Sequence, residues 1–230
     1  MTMTVAHAHP LEAADPDCLG DGAAAELLRD VPWRRMVVLG DSVAAGVREP
    51  AEGYRDAAFT DRTGEALLAA HPQGAYRNLG VRDARLAAIR ETQLPVALEF
   101  APDLAVVIGG GNDALSRSYT SGRLAEELQS IAVPLRDVGA TVVTVGLFDL
   151  ARSGLVPAEY APAMVERFDD LDAVTRRVAA EVGALHVDTH RHPRAADPAI
   201  FASDRMHANA RGHAIAFAAV VRVLSAHATR

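Results

Sequence analysis

The chain has 230 residues, 50% of them hydrophobic and 23% charged, enough to bury the core of one good-sized domain. Its 23 basic and 30 acidic residues leave a net charge of −7, so no basic field is on offer to a nucleic acid or an anionic membrane. A single cysteine, Cys18, excludes an intramolecular disulfide framework and a zinc site built from several thiolates.

Residues 1–30 hold neither a basic n-region nor an apolar stretch of roughly 7–15 residues, so the expectation is a cytoplasmic protein without a secretory signal. Rich in Ala, Asp, His and Pro and without periodicity, they read as a loosely ordered N-terminal tail ahead of one domain over 31–230. Strand candidates follow at Met36–Gly40, Tyr76–Leu79, Leu104–Ile108, Thr141–Gly146 and Ala184–Asp188. Most are β-branched or apolar without alternation, as strands covered on both faces should be. Helical patterns fall between and after them, at Arg62–His71, Arg85–Gln93, Leu124–Val138, Met164–Val182 and Asn209–His227. Within the third, Leu124, Leu128, Ile131 and Leu135 recur at three- and four-residue steps and make one buried stripe. The apolar stretch Ala214–Val221 in the last is far short of the roughly 20 residues that cross a bilayer, so no membrane insertion is expected. The alternation predicts a parallel sheet with helices on both faces, in one α/β domain.

Open parallel sheets bind ligands beyond the carboxyl ends of their strands. There the sequence places Asp41-Ser42, Gly80-Val81-Arg82, Gly109-Gly110-Gly111-Asn112-Asp113 and Leu147-Phe148-Asp149, with Asp204-Arg205-Met206-His207 in the loop before the last helix. Ser42 stands where a helix is expected to begin, and on its own such a serine caps the first turn. As a nucleophile it needs a base and a group to orient that base. Asp204-x-x-His207 can supply both, and by itself it is equally a capping carboxylate and an exposed loop histidine. Asn112 can donate its amide to an oxyanion, or simply close a tight turn. Gly80 can offer an unobstructed backbone N–H, or be a turn residue. Together they fill the roles of an acyl-transfer site: nucleophile, base, orienting acid and oxyanion donors.

These residues make the chain recognisable: it resembles the SGNH hydrolases, also called the GDSL esterase/lipase superfamily. The blocks that carry the likeness are Leu39-Gly40-Asp41-Ser42, Asn78-Leu79-Gly80, Gly110-Gly111-Asn112-Asp113 and Asp204-Arg205-Met206-His207 with Asn209-x-x-Gly212-His213, spanning about Arg34 to Leu224. Val43 stands where the common name of the superfamily has leucine. The resemblance implies a flavodoxin-like three-layer α/β/α sandwich with a five-stranded parallel sheet, and hydrolysis of a small-molecule ester without metal or cofactor. It implies Ser42, Asp204 and His207 as catalytic residues, with an oxyanion hole of the Ser42 and Gly80 N–H groups and Asn112. Loops expected to meet substrate contribute Val43, Arg82, Ser116, Arg117, Tyr119, Phe148, Leu150 and Met206, a mixed apolar and cationic set. Segment Ser153–Pro162 reads as a lid or a surface loop.

Several rivals are weaker. Gly109-x-Gly111-x-x-Ala114 fits a loose dinucleotide pattern but follows the third strand, without an acidic partner about 20 residues on. His186, His190, His192, His207 and His213 raise a metal centre, yet no His-Glu-x-x-His motif is present. The Gly-x-Ser-x-Gly elbow of an α/β-hydrolase is broken by Ala44. Acyl transfer through the same acyl-enzyme, and a non-catalytic binder of this fold, are the alternatives to hydrolysis. The acyl group and the oligomeric state are not legible.

Overall fold

The structure is a computed structural model that describes residues 9–228. Five parallel strands form the sheet: β1 (Arg35–Gly40), β2 (Ala75–Asn78), β3 (Leu104–Ile108), β4 (Thr141–Val145) and β5 (Leu185–Val187). They lie in the order β2-β1-β3-β4-β5. The registers Val38↔Asn78, Gly40↔Ile108, Val107↔Thr144 and Val145↔Val187 bring all the carboxyl ends to one edge. Because side chains alternate across a strand, each strand feeds two cores. Met36, Val38, Val106 and Val143 pack under α2 (Asp21–Leu27), α3 (Phe59–Ala70) and α9 (Ala210–Ala228), against Phe59, Leu67, Phe217 and Val221. Val37, Leu39, Ala105 and Val107 pack under a helical stretch over 86–99 together with α7 (Ser121–Asp137) and α8 (Ala161–Val182). The stripe Leu124, Leu128, Ile131 and Leu135 faces this second core, as its spacing predicts.

Two helix expectations shift. Residues 86–99 are not one helix ending at Gln93: α4 (Leu86–Ala88) runs through a π-turn, Ile89–Gln93, into α5 (Leu94–Glu99). Pro95 is the second residue of α5, directly after the π-turn in which Leu94 N–H bonds Ile89 O and the hydrogen-bond register shifts. The expected loose tail is also corrected over the described part of 1–30. There α2 docks on α3 and α9 and α1 (Pro10–Ala14) is tied to α3 through Glu12, while residues 1–8 lie outside the described residues. The physical reason is a buried cation. Arg62, 1% exposed, donates to Glu12 and Asp21 and stands 4.3 Å over the Phe217 ring, while Ala24 and Leu28 close the apolar contact. Cys18 is buried by the same docking, which pushes its thiol up to about 12 and leaves it protonated at neutral pH. Among the described residues, no helix is long and apolar enough to cross a membrane.

Candidate active site

The strand order reverses direction at β1, whose neighbours are β2 on one side and β3 on the other. That is the switch point where the crevice of a doubly wound sheet opens, and Ser42 and Asn112 follow its two central strands. Ser42 does not begin a regular helix. It lies in a turn held by Ala45 N–H on Asp41 O (2.9 Å) and Val47 N–H on Ser42 O (2.9 Å). The Asp41 side chain takes the Val43 N–H (2.9 Å). Ser42 N–H is engaged in none of these bonds and has no acceptor among the described residues.

The loop before α9 reaches across to this turn. An antiparallel bridge, Phe201↔Ala208, pinches its base, and Arg205 takes a left-handed conformation with φ +56° that tightens the turn. Asp204 Oδ1 accepts from Met206 N–H (2.9 Å) and His207 N–H (3.0 Å), and Oδ2 lies 2.7 Å from His207 Nδ1. Burial works to raise the Asp204 carboxyl, but the imidazole and the two N–H groups outweigh it and hold it below the usual range. An ionised carboxylate only accepts, so Nδ1 carries the proton, and in the neutral imidazole Nε2 is left as an acceptor. Ser42 Oγ stands 2.8 Å from that Nε2 and donates to it.

Asn112 lies in α6 (Gly111–Ala114), entered through Gly110 at φ +99°, and donates one amide proton to Ala84 O (3.0 Å), keeping the second. Gly80 differs from expectation: its N–H is already engaged by Asn78 Oδ1 (2.9 Å). No side chain fits there, since a Cβ would stand 2.4 Å from Ala45 N. Asn78 donates in turn to Ala44 O (2.9 Å), tying the Gly80 loop to the Ser42 turn. Sequence reasoning passed over Asn78 as a residue with a job of its own, and it passed over Gln93 entirely, a buried side chain on the Gly40 backbone.

A cavity of about 100 Å³ opens beside Ser42 and His207. Its wall is mostly apolar, with Val43, Leu115, Leu147, Phe148, Leu150, Met164, Phe168, Phe201 and Met206. Of the expected substrate contacts, Val43, Phe148, Leu150 and Met206 line it, and Arg82, Ser116, Arg117 and Tyr119 do not. In the 153–162 segment, Leu155 and Val156 pack on the cluster of Leu150, Ile200 and Phe201 beside the cavity.

The remaining histidines do not converge on Ser42 as metal ligands. His213, in the cavity wall, accepts from Phe59 N–H (3.1 Å), and burial pushes it down to about 4, so it is neutral. His190 binds Leu147 O and Asp169. Asp172, His186 and Asp188 bring ligand-type atoms within 4.8 Å of one another away from the crevice, but Arg176 and Arg191 already neutralise Asp172.

The sequence model of the GDSL-like lipase/acylhydrolase family matches residues 38–215. The chain belongs to that family. Like other members of the GDSL family it is an ester hydrolase, and solved structures agree in fold. LAE5, an alpha/beta hydrolase enzyme from the metagenome of Lake Arreo in Spain, is 19% identical with a TM-score of 0.65, over 83% of this chain and 94% of that one. Axe2, an acetylxylan esterase from Geobacillus stearothermophilus, is 18% identical with a TM-score of 0.66 over the same shares, 83% and 94%. A lipase/acylhydrolase from Enterococcus faecalis is 21% identical with a TM-score of 0.64, over 84% of this GDSL hydrolase and 96% of that chain. No curated protein matches the sequence significantly.

Proposed function

We propose that this GDSL hydrolase cleaves carboxylic esters of a short to medium apolar acid through an acyl-enzyme on Ser42. One observation carries the reading: the hydrogen-bond relay Asp204–His207–Ser42 ends at the mouth of an apolar cavity. His207 Nε2 takes the Ser42 proton as Oγ attacks the ester carbonyl carbon. The oxyanion is held by Ser42 N–H and the second amide proton of Asn112, with Gly80 N–H shared between it and Asn78. Collapse expels the alkoxide, which leaves as the alcohol with the proton from His207. Water, deprotonated by His207, then attacks the acyl carbonyl and releases the acid and Ser42. Asp204 keeps the proton on Nδ1 and stabilises the imidazolium without accepting that proton. No step calls for a metal or cofactor.

The cavity supports the substrate class. Apolar cavities of about 150 Å³ take up a benzene-sized guest, so about 100 Å³ suits a chain of a few carbons. Each buried methylene contributes about 0.8 kcal/mol, so lengthening acetate to butyrate should raise kcat/KM by roughly fifteen-fold. With Arg82 and Arg117 outside the lining, no cation is offered to an anionic acid.

A fluorophosphonate should label the native protein stoichiometrically at Ser42, as read by intact mass and peptide mapping, and Ser42→Ala should be neither labelled nor active. p-Nitrophenyl esters should peak between butyrate and hexanoate. Labelling at another residue, or activity surviving in Ser42→Ala, would overturn the mechanism. A flat chain-length profile would overturn the cavity's role alone.

A further inference from the structure

The strand that delivers Ser42 is held at its last residue by a side chain outside the relay. Gly40, two residues ahead of Ser42, ends β1. Beyond the register Val38↔Asn78 the edge strand β2 has stopped. The backbone groups of Gly40 on that side therefore have no strand to pair with, and buried backbone polar groups must be paired. Gln93, 3% exposed, fills the gap: its Oε1 accepts from Gly40 N–H and its Nε2 donates to Gly40 O, both at 2.8 Å. The same carbonyl accepts from Val81 N–H (3.1 Å), the residue after Gly80. One backbone oxygen thus joins the nucleophile strand, the Gly80 loop and Gln93.

Space at this point is already used up. A Cβ on Gly40 would stand 2.0 Å from Ile108 O and 2.6 Å from Ala44 Cβ, so β1, β3 and the Ser42 turn are in contact there. The π-turn Ile89–Gln93 supplies the side chain, its ends Ile89 and Gln93 both buried while Glu91 and Thr92 between them are exposed. Single π-turns inserted in α-helices occur frequently at functional sites. A side-chain amide offers a donor and an acceptor at this separation with no charge to bury at any pH.

We propose that Gln93 is a positioning residue for ester hydrolysis. By clamping both backbone groups of Gly40 it fixes where Ser42 Oγ stands against His207 and where the Ser42 N–H meets the Gly80 loop. The proposal rests on the Ser42 reading above. It makes Gln93 matter to the chemical step and little to substrate binding, since it does not line the cavity.

The test is kcat per active site, with sites counted by end-point fluorophosphonate labelling of the folded enzyme. Gln93→Leu should lower kcat per labelled site by roughly 10- to 100-fold, with KM within about twofold, as misplacement of reacting groups by under an ångström does. Gln93→Glu adds a readout that a purely structural role would not move. When protonated, the introduced carboxyl presents one donor and one acceptor, as the amide does, and burial favours that form. Its kcat should approach the native value at low pH, and the ratio of variant to native should fall as pH rises. Native kcat per labelled site in Gln93→Leu, with only thermal stability reduced, would overturn the proposal. Should Gln93→Leu not fold, a pH-independent ratio for Gln93→Glu would overturn it equally. Absence of labelling at Ser42 in the native enzyme would instead overturn the underlying mechanism.

Discussion

At the residue scale, the proposed chemistry depends on a few atoms whose partners are already arranged. Ser42 Oγ, both nitrogens of His207 and both oxygens of Asp204 are engaged, leaving two donors open near the nucleophile, Ser42 N–H and one proton of Asn112. Removing one such donor costs about 2.7–4 kcal/mol in the transition state, so Asn112→Ala should lower kcat by roughly 10²–10³ at nearly unchanged KM. A steady-state assay with p-nitrophenyl butyrate checks this, and near-native turnover would take Asn112 out of the mechanism. Ser42, Asn112, Asp204 and His207 were legible in the sequence because each falls in a short polar block beyond a strand or before the last helix. Gln93 was not. Its meaning depends on a backbone 53 residues away and on a π-turn that no periodicity announces. Gly80 reads in the sequence as a free N–H donor or a turn glycine. Both the close packing that excludes a Cβ there and the engagement of its N–H by Asn78 follow only from how the Ser42 turn folds against it.

At the element scale, β1, β3 and β4 were readable nearly to the residue, because a central strand buried on both faces is a run of apolar and β-branched residues that little else explains. The half-buried edge strands β2 and β5 were found by their place in the strand–helix alternation. Helix ends were less readable. The helix expected to end at Gln93 continues through the π-turn into α5, with Pro95 as the second residue of α5. The misread element was the N-terminal pair α1–α2, which has too few apolar residues to announce itself and is held by Arg62 instead. Truncating Arg62 would leave the buried Glu12 carboxylate without its countercharge, with only the Arg55 N–H on its second oxygen. Breaking such a pair typically costs about 3–5 kcal/mol. Arg62→Ala should therefore lower the urea midpoint by that equivalent, while kcat of the folded fraction stays within about twofold. An unchanged midpoint would mean that α1–α2 contributes nothing to the fold's stability.

At the scale of the whole molecule, the sheet order puts the crevice between β1 and β3, and the alternation of strand and helix was enough to foresee that architecture. It could not foresee the electrostatic cost of closing the crevice. Burial pushes the Asp41 carboxyl up to about 6, against the opposing pull of the Val43 N–H and the His207 ring. In the unfolded chain the same group titrates near its ordinary value of 3.8. Between those values the folded state binds the extra proton, so its stability falls as pH rises from about 4 to 6 and the loss is complete above that. At about 1.4 kcal/mol per pKa unit this amounts to at most about 3 kcal/mol. Asp41→Asn keeps an acceptor for the Val43 N–H and cannot ionise. The gain in thermal midpoint over native should be small near pH 4 and grow to its full size above pH 6. Scanning calorimetry across that range decides it, and a gain that does not vary with pH would assign Asp41 an ordinary carboxyl.

The bond between His207 and Ser42 joins residues 165 apart in the chain. Closing so long a loop is slow and is repaid only after the intervening elements have formed. The helix that follows His207, α9, carries Phe217, Val221 and Leu224 into one of the two cores, so neither that core nor the relay is whole until the end of the chain has docked. On the proposed mechanism, catalytic competence should therefore come late in folding. On that mechanism, too, Ser42 emerges during synthesis long before His207, and the nascent chain carries a hydroxyl without the partner that would activate it. Recovery of turnover after dilution from denaturant would time the closing of that last long-range contact, rather than the earlier collapse of the sheet.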